Sequence, residues 1–208
     1  AWKVGSGEVA SHQMLEVIAE TAAASRSPVL LSSGMTTFAE IEAAAGVVRA
    51  KGADLGLFQC TSRYPASLED VGLNVIGELR DRFDCPVGLS DHTGTPYPAL
   101  AAIARGADMI EVHFALDKSM FGPDVVASLT PDEFRMLRTT RDAISVMDAN
   151  PVDNDAMATE LAPMRDLFTK SVAPTRALEA GTTLEPDMLT IKKPGTGIPA
   201  ADLPTLIG

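Results

Sequence analysis

Short apolar runs alternate with amphipathic stretches along the first two-thirds of the chain. Val29-Leu30-Leu31-Ser32, Leu55 to Cys60, Pro86 to Ser90 and Asp108 to Phe114 read as strands, and Trp2-Lys3-Val4 as a strand already under way. Ile41, Ala44, Ala45 and Val48 have the spacing of one helical face, which predicts a helix from about Thr37 to Lys51. Leu73 to Arg82 and Pro98 to Arg105 read as helices too. Thr130-Pro131-Asp132-Glu133 opens another, with Thr130 as N-cap, Pro131 in the first turn and Glu133 completing a capping box. No hairpin signal separates the strands, so the alternation implies parallel strands joined by crossover helices. A repeat of roughly 22–30 residues is as compact as barrel units are. An open doubly wound sheet shares the alternation, but Gly5-Ser6-Gly7 has no third glycine at the spacing a dinucleotide fingerprint needs.

The rhythm breaks at Asp148. Residues 148–170 are polar, acidic and contain Pro151, as a linker would be. Residues 171–208 carry short β-like runs and turns, which predicts the start of a small second domain after a first one over 1–147. The opening in mid-strand predicts that the chain is a piece of a longer protein.

The chain has 208 residues and a net charge of −11. That acidity argues against nucleic-acid binding, which needs a basic face, but allows an anionic small substrate held by a local lysine and a metal. No apolar run approaches the roughly 18 residues of a membrane span, and no signal peptide is visible. Two cysteines without a motif, Cys60 and Cys85, suggest reduced thiols and a cytoplasmic location.

Polar residues gather at the C-terminal ends of the strands, where a parallel barrel carries its active site. Ser90-Asp91-His92-Thr93 ends one strand and Glu111-Val112-His113-Phe114 the next. Alternation puts Ser90 and His92 on one face, and Glu111 and His113 on one face, leaving Ile110 and Val112 to pack on helices. Adjacent strands lie about 4.8 Å apart, so two such imidazoles can share one cation. With no thiolate pair the site would stay open, which fits Mn2+ or Mg2+ better than structural zinc. A strand-end histidine also serves simply as a hydrogen-bonded polar residue, and His12 reads as a surface residue at a helix start. Lys3 before Gly5-Ser6-Gly7-Glu8, and Ser32-Ser33-Gly34, are either plain turns or two halves of an anion cradle. In Cys60-Thr61-Ser62-Arg63-Tyr64-Pro65, Ser62 can reach a phosphate and Tyr64 a polyol, while Arg63 is either a ligand contact or a solvent ion pair. Asp124, after Phe121-Gly122-Pro123, either caps the following helix or meets a sugar hydroxyl or a metal.

These segments, with Ser128 to Phe134, occur in the order and spacing of the sialic acid synthase family, which the chain resembles over essentially its whole length. Leu178 to Gly181 and Lys192 to Ile198 resemble the opening of that family's antifreeze-like (SAF) domain. The resemblance implies a partial (β/α)8 TIM barrel, holding about the last five strands, followed by a truncated SAF domain. It implies a divalent metal, Mn2+ or Mg2+, on His92 and His113, and phosphoenolpyruvate held by Lys3, Ser6, Ser32, Ser62 and Ser90. Tyr64 and Asp124 would contact an N-acyl amino sugar, and Glu111, Asp124 or Glu8 would move protons. The implied reaction joins phosphoenolpyruvate to an N-acetylmannosamine-type aldehyde, giving a sialic-type acid and phosphate. Implied too is a homodimer whose SAF domain reaches the partner's active site, with three earlier strands outside the chain. Three positions depart from the family pattern: Ser62 for a frequent Asn, Gln59 for a common His, and Val112 for a common Arg or Lys. They leave open a legionaminic or pseudaminic acid precursor as the sugar. A non-catalytic sugar-binding barrel is the rival from another class, and both histidines, Lys3 and Asp124 argue against it. A partial barrel is expected to be inactive alone.

Overall fold

The computed structural model describes residues 1–207. It divides into two compact units, Ala1–Ala149 and the remainder from Asn150. The first unit is a six-stranded parallel sheet in sequential order: β1 (Trp2–Val4), β2 (Val29–Ser32), β3 (Leu55–Cys60), β4 (Val87–Asp91), β5 (Ile110–Phe114) and β6 (Ser128–Leu129). Helices α1 (His12–Ala24), α2 (Phe38–Ala50), α3 (Leu73–Phe83) and α4 (Tyr97–Ala104) fill the first four crossovers, and α5 (Pro131–Asp148) follows β6.

Six strands stand where five were expected. Ser128–Leu129 pairs with the end of β5, His113 opposite Ser128, but two residues are too few for a period-two pattern to register. Helix α1 also escapes the spacing argument, because two of its three buried residues, Leu15, Ala19 and Ala22, are alanines.

The two faces of the sheet have opposite character. Val4, Val29, Leu31, Leu55, Leu57, Val87 and Leu89 form one cluster with the buried faces of α1, α2 and α3. Ile110 and Val112 pack outward against Ala99, Leu129 and Leu137. The alternate residues line the inner face, in rows set by the register: Lys3 beside Leu30, Ser32 beside Phe58, Cys60 beside Ser90, Ser90 beside Glu111. Gly56 and Gly88 belong to the inner rows because a Cβ there would lie 2.7 Å from Leu30 and 2.4 Å from the Met109 carbonyl.

Lys3 Nζ on β1 reaches Glu111 Oε1 on β5 at 2.6 Å. In a flat sheet, four strand spacings of about 4.8 Å would hold these backbones farther apart than the two side chains can span. The sheet therefore curls into the arc of a barrel, inner face concave. Helices α2 and α5 begin with the same device: Thr37 and Thr130 form reciprocal capping boxes with Glu40 and Glu133.

The second unit holds two short helices, α6 (Asn154–Glu160) and α7 (Ala162–Phe168), and a hairpin of β7 (Ser171–Pro174) antiparallel to β8 (Leu189–Lys192). Asp153 caps α6 through the backbone N–H groups of Asp155 and Ala156. Among the described residues no helix is long and apolar enough to cross a membrane.

Candidate active site

At the C-terminal ends of the strands lies a cavity of about 390 Å³, lined by Lys3, Ser6, Glu8, Ser32, Ser62, Tyr64, Ser90 and His92 among others. A larger one, about 580 Å³, sits at the opposite end, with Leu30, Gly56 and Met109 in its wall. Size does not decide between them. The strand-end cavity is where the polar groups converge, and in parallel barrels that end carries the chemistry.

One wall gathers a lysine, a carboxylate and several hydroxyls. Glu111 Oε1 accepts from Lys3 Nζ at 2.6 Å and from Ser90 Oγ at 2.7 Å. Burial pushes the Glu111 carboxyl up, but the two hydrogen bonds and the lysine charge outweigh it, and its pKa falls below the usual value. Lys3 is thus held over the cavity by a carboxylate that stays ionised. Opposite, Ser6 Oγ and Ser62 Oγ lie 3.1 Å apart, and the Gly34 N–H donates to Cys60 Sγ at 3.1 Å. A Cβ on Gly34 would fall 2.3 Å from Ser62 Oγ and 2.6 Å from Cys60 Sγ, so only glycine lets these groups close around the turn. Ser32 is 2% exposed and its hydroxyl has no hydrogen-bond partner. A buried hydroxyl without a partner at hydrogen-bond distance, beside the Cys60 thiol, is placed to meet a ligand.

The other wall carries the imidazoles. The His92 and His113 ring centroids lie 5.2 Å apart, and Tyr64 touches both, at 4.4 and 5.6 Å. Rings bonded to one ion at about 2.1 Å each have centroids roughly 5 Å apart, so the pair fits a shared cation. His92 Nδ1 faces the Thr61 carbonyl at 3.1 Å. A proton on Nδ1 satisfies that carbonyl and leaves the Nε2 lone pair free, the usual way a backbone group fixes a ligand's tautomer. Burial, the neighbouring His113 and Lys3 lower the His92 pKa, which favours the neutral ring. Among the described residues no three His, Cys, Asp or Glu side chains are grouped for a metal. An ion here would complete its shell with water and substrate oxygens.

Asp124 borders a neighbouring cavity of about 360 Å³ together with His113. It stands at the N-cap of the 3-10 turn Val125–Ala127 but makes no side-chain cap bond. Its Oδ2 instead faces His113 Nδ1 at 3.9 Å. Arg63 is a solvent ion pair, 2.6 Å from Asp70, and His12 is exposed at the first position of α1, as expected. Sequence alone assigns no role to Gly34 and Cys60 as packing partners, to the lack of a partner at the Ser32 hydroxyl, or to the Thr61 carbonyl. The glycine within Ser32-Ser33-Gly34-Met35 was the available signal for the first.

A family model described as the NeuB family matches residues 1–151. The chain belongs to the NeuB family. Among curated relatives, N,N'-diacetyllegionaminic acid synthase of Legionella pneumophila is 35% identical over 99% of this chain and 58% of its own length. N-acetylneuraminate-9-phosphate synthase of Mus musculus is 35% identical over 100% of this chain and 56% of its own. The crystal structure of N-acetylneuraminic acid synthetase from Leptospira borgpetersenii, in complex with citrate, superposes with a TM-score of 0.69 and 29% identity, covering 80% of this chain and 57% of that one. This NeuB chain spans a little under three-fifths of the length of these relatives.

Within the NeuB frame, the three departures noted in the sequence separate. Val112 points away from the cavity into the cluster of Ala99, Leu129 and Leu137. Gln59 is 7% exposed on the outer side, where its Oε1 accepts from Ser33 Oγ at 2.9 Å and its Nε2 donates to the Val71 carbonyl at 3.1 Å. It braces two loops and does not line the cavity. Ser62 alone of the three does.

Proposed function

We propose that this chain supplies most of the active site of an enzyme that condenses phosphoenolpyruvate with an N-acylated hexosamine aldehyde, yielding a nonulosonic acid and phosphate. The observation that carries the reading is one cavity wall with Lys3 and four serine hydroxyls, the orphaned Ser32 among them, set beside two converging imidazoles. Its relatives named as legionaminic and neuraminate-9-phosphate synthases support it.

Lys3, Ser6, Ser32, Ser62 and Ser90 hold the carboxylate and phosphate of phosphoenolpyruvate, contributing chiefly orientation. A Mn2+ or Mg2+ ion on His92 and His113 would supply Lewis acidity toward the aldehyde oxygen. The phosphoenolpyruvate C3 attacks the aldehyde carbon, water adds at C2, and the tetrahedral adduct loses phosphate by C–O cleavage. Because Glu111 stays ionised, it acts as the counter-charge that orients Lys3. Asp124 and Glu8 are then the carboxylates left to take the proton from the attacking water. Tyr64 and Asp124 meet the sugar hydroxyls. We read the unit from Asn150 as leading into an SAF domain over 171–208, which in a homodimer reaches the partner's site. The two free thiols, Cys60 and Cys85, fit work in the cytoplasm.

The test offers the full-length protein phosphoenolpyruvate, Mn2+ and a panel of N-acyl hexosamine aldehydes, and follows phosphate release and product mass. One phosphate per acid, abolished by chelation, is expected, and the productive sugar names the substrate. Tight sugar binding without phosphate release from any panel member would mark a sugar-binding barrel instead.

A further inference from the structure

We infer that Lys118 is a positioning residue that sets the Asp124 arm of the mouth against the His92 arm; this rests on the condensation reading above. Lys118 sits in the loop between β5 and β6 and does not line the cavity with Lys3, Ser6 and Ser62. Its ammonium donates to the Gly94 carbonyl at 2.8 Å and to the Ser128 carbonyl, and lies 3.5 Å from Glu133 Oε2. Gly94 is two residues beyond His92. Ser128 opens β6, and its hydroxyl donates back to the Asp124 carbonyl at 2.7 Å. Glu133 is the capping-box residue of α5. One cation on the loop after β5 thus joins the segment after β4 to β6 and the start of α5.

The same junction is tight without the lysine. Gly94 has φ +70, and a Cβ there would sit 2.1 Å from the Val126 carbonyl, inside the turn that follows Asp124. Lys118 itself is presented by a local turn, in which Asp117 Oδ1 accepts from the Ser119 N–H at 2.7 Å. Two backbone carbonyls converging on one point repel unless a donor lies between them, and an ammonium with three N–H groups suits that task. The consequence is directional. Loss of Lys118 should loosen Asp124 relative to His113 and His92, which the cation and the sugar share, and leave the wall of Lys3, Ser6 and Ser62 as it is.

The experiment uses the full-length protein and compares Lys118→Met with Lys118→Arg. Lys51→Met serves as a control that removes an equal charge from the distant Lys51–Glu20 pair. Mn2+ affinity is titrated by electron paramagnetic resonance without substrates, and KM is measured separately for sugar and phosphoenolpyruvate. Lys118→Met is expected to weaken Mn2+ binding and raise the sugar KM about tenfold, the scale of losing an outer partner of a metal site. The phosphoenolpyruvate KM should stay within about twofold, and Lys118→Arg should recover most of the loss. Should Lys118→Met fail to fold, Ser128→Ala cuts the next link to Asp124 and should give the same split. Equal changes in both KM values, no change in either, or no rescue by arginine would overturn the assignment. A wild-type protein that releases no phosphate would instead bring down the reading on which it rests.

Discussion

The outer and inner faces of the six-stranded sheet are made by the same strands, often by adjacent residues, yet they do different work. Leu57 and Leu89 point outward and are 2% and 1% exposed among helices. Ser90 and Glu111 point inward, and the Glu111 carboxylate accepts from both Ser90 and Lys3. The outer face holds the arc together, and the inner face is free to carry charge because the outer one already supplies the core. Cost and function are thereby separated: a change on one face should appear as stability, on the other as binding or rate.

The sharpest way to break this division is at the imidazoles. His92→Ala or His113→Ala should reduce phosphate release on the order of a thousandfold, since a Lewis acid contributes several kcal/mol. Thermal unfolding of the metal-free protein should barely move. A large loss of melting temperature with each variant would show that the pair is structural. On the outer face Leu89→Ala should cost about 2–5 kcal/mol in denaturant unfolding, as buried leucine truncations do, while both KM values persist in the fraction that stays folded.

A matched pair sharpens the comparison further. Val112→Lys brings in a residue that the family resemblance leads one to expect, but on the outer face. It should lower stability by about 1–3 kcal/mol through disturbed packing and leave sugar preference unchanged. Ser62→Asn does the equivalent inside the cavity. It should lower the phosphoenolpyruvate KM about threefold to tenfold by adding reach toward the phosphate, with stability nearly constant. If Val112→Lys changed the preferred sugar, the separation of faces would fail.

The smallest effect concerns the start of α5. Burial tends to raise the Glu133 carboxyl, but bonds from Thr130 and the charge of Lys118 bring its pKa below the usual glutamate value. A carboxylate with a depressed folded pKa lends stability that is fully present above its unfolded pKa and is lost as pH falls through the folded one. Glu133→Gln should therefore flatten the melting-temperature profile below about pH 4.5, and change the melting point above that only by the loss of a cap, about 1 kcal/mol. An unchanged acid limb would show that the capping box carries no such linkage.

Much of this was legible in the chain. Strands β2 and β3 fall on the apolar runs residue for residue, and Thr130, Pro131 and Glu133 do at α5 what their order says. Period-two alternation also assigned Ser90, His92, Glu111 and His113 to one side and Ile110 and Val112 to the other, because side-chain direction in a strand is a local property. What sequence could not carry was anything dependent on curvature or on contacts between distant segments. β6 has two residues and exists only because β5 offers it an edge. Gln59 and Val112 looked like changes in specificity until the fold turned them outward. The bond between Lys3 and Glu111, 108 positions apart, and the junction at Lys118 arise where a curled sheet brings separate strand ends to one mouth. Local propensity fixes which way a side chain points; only the curled sheet decides what it meets there.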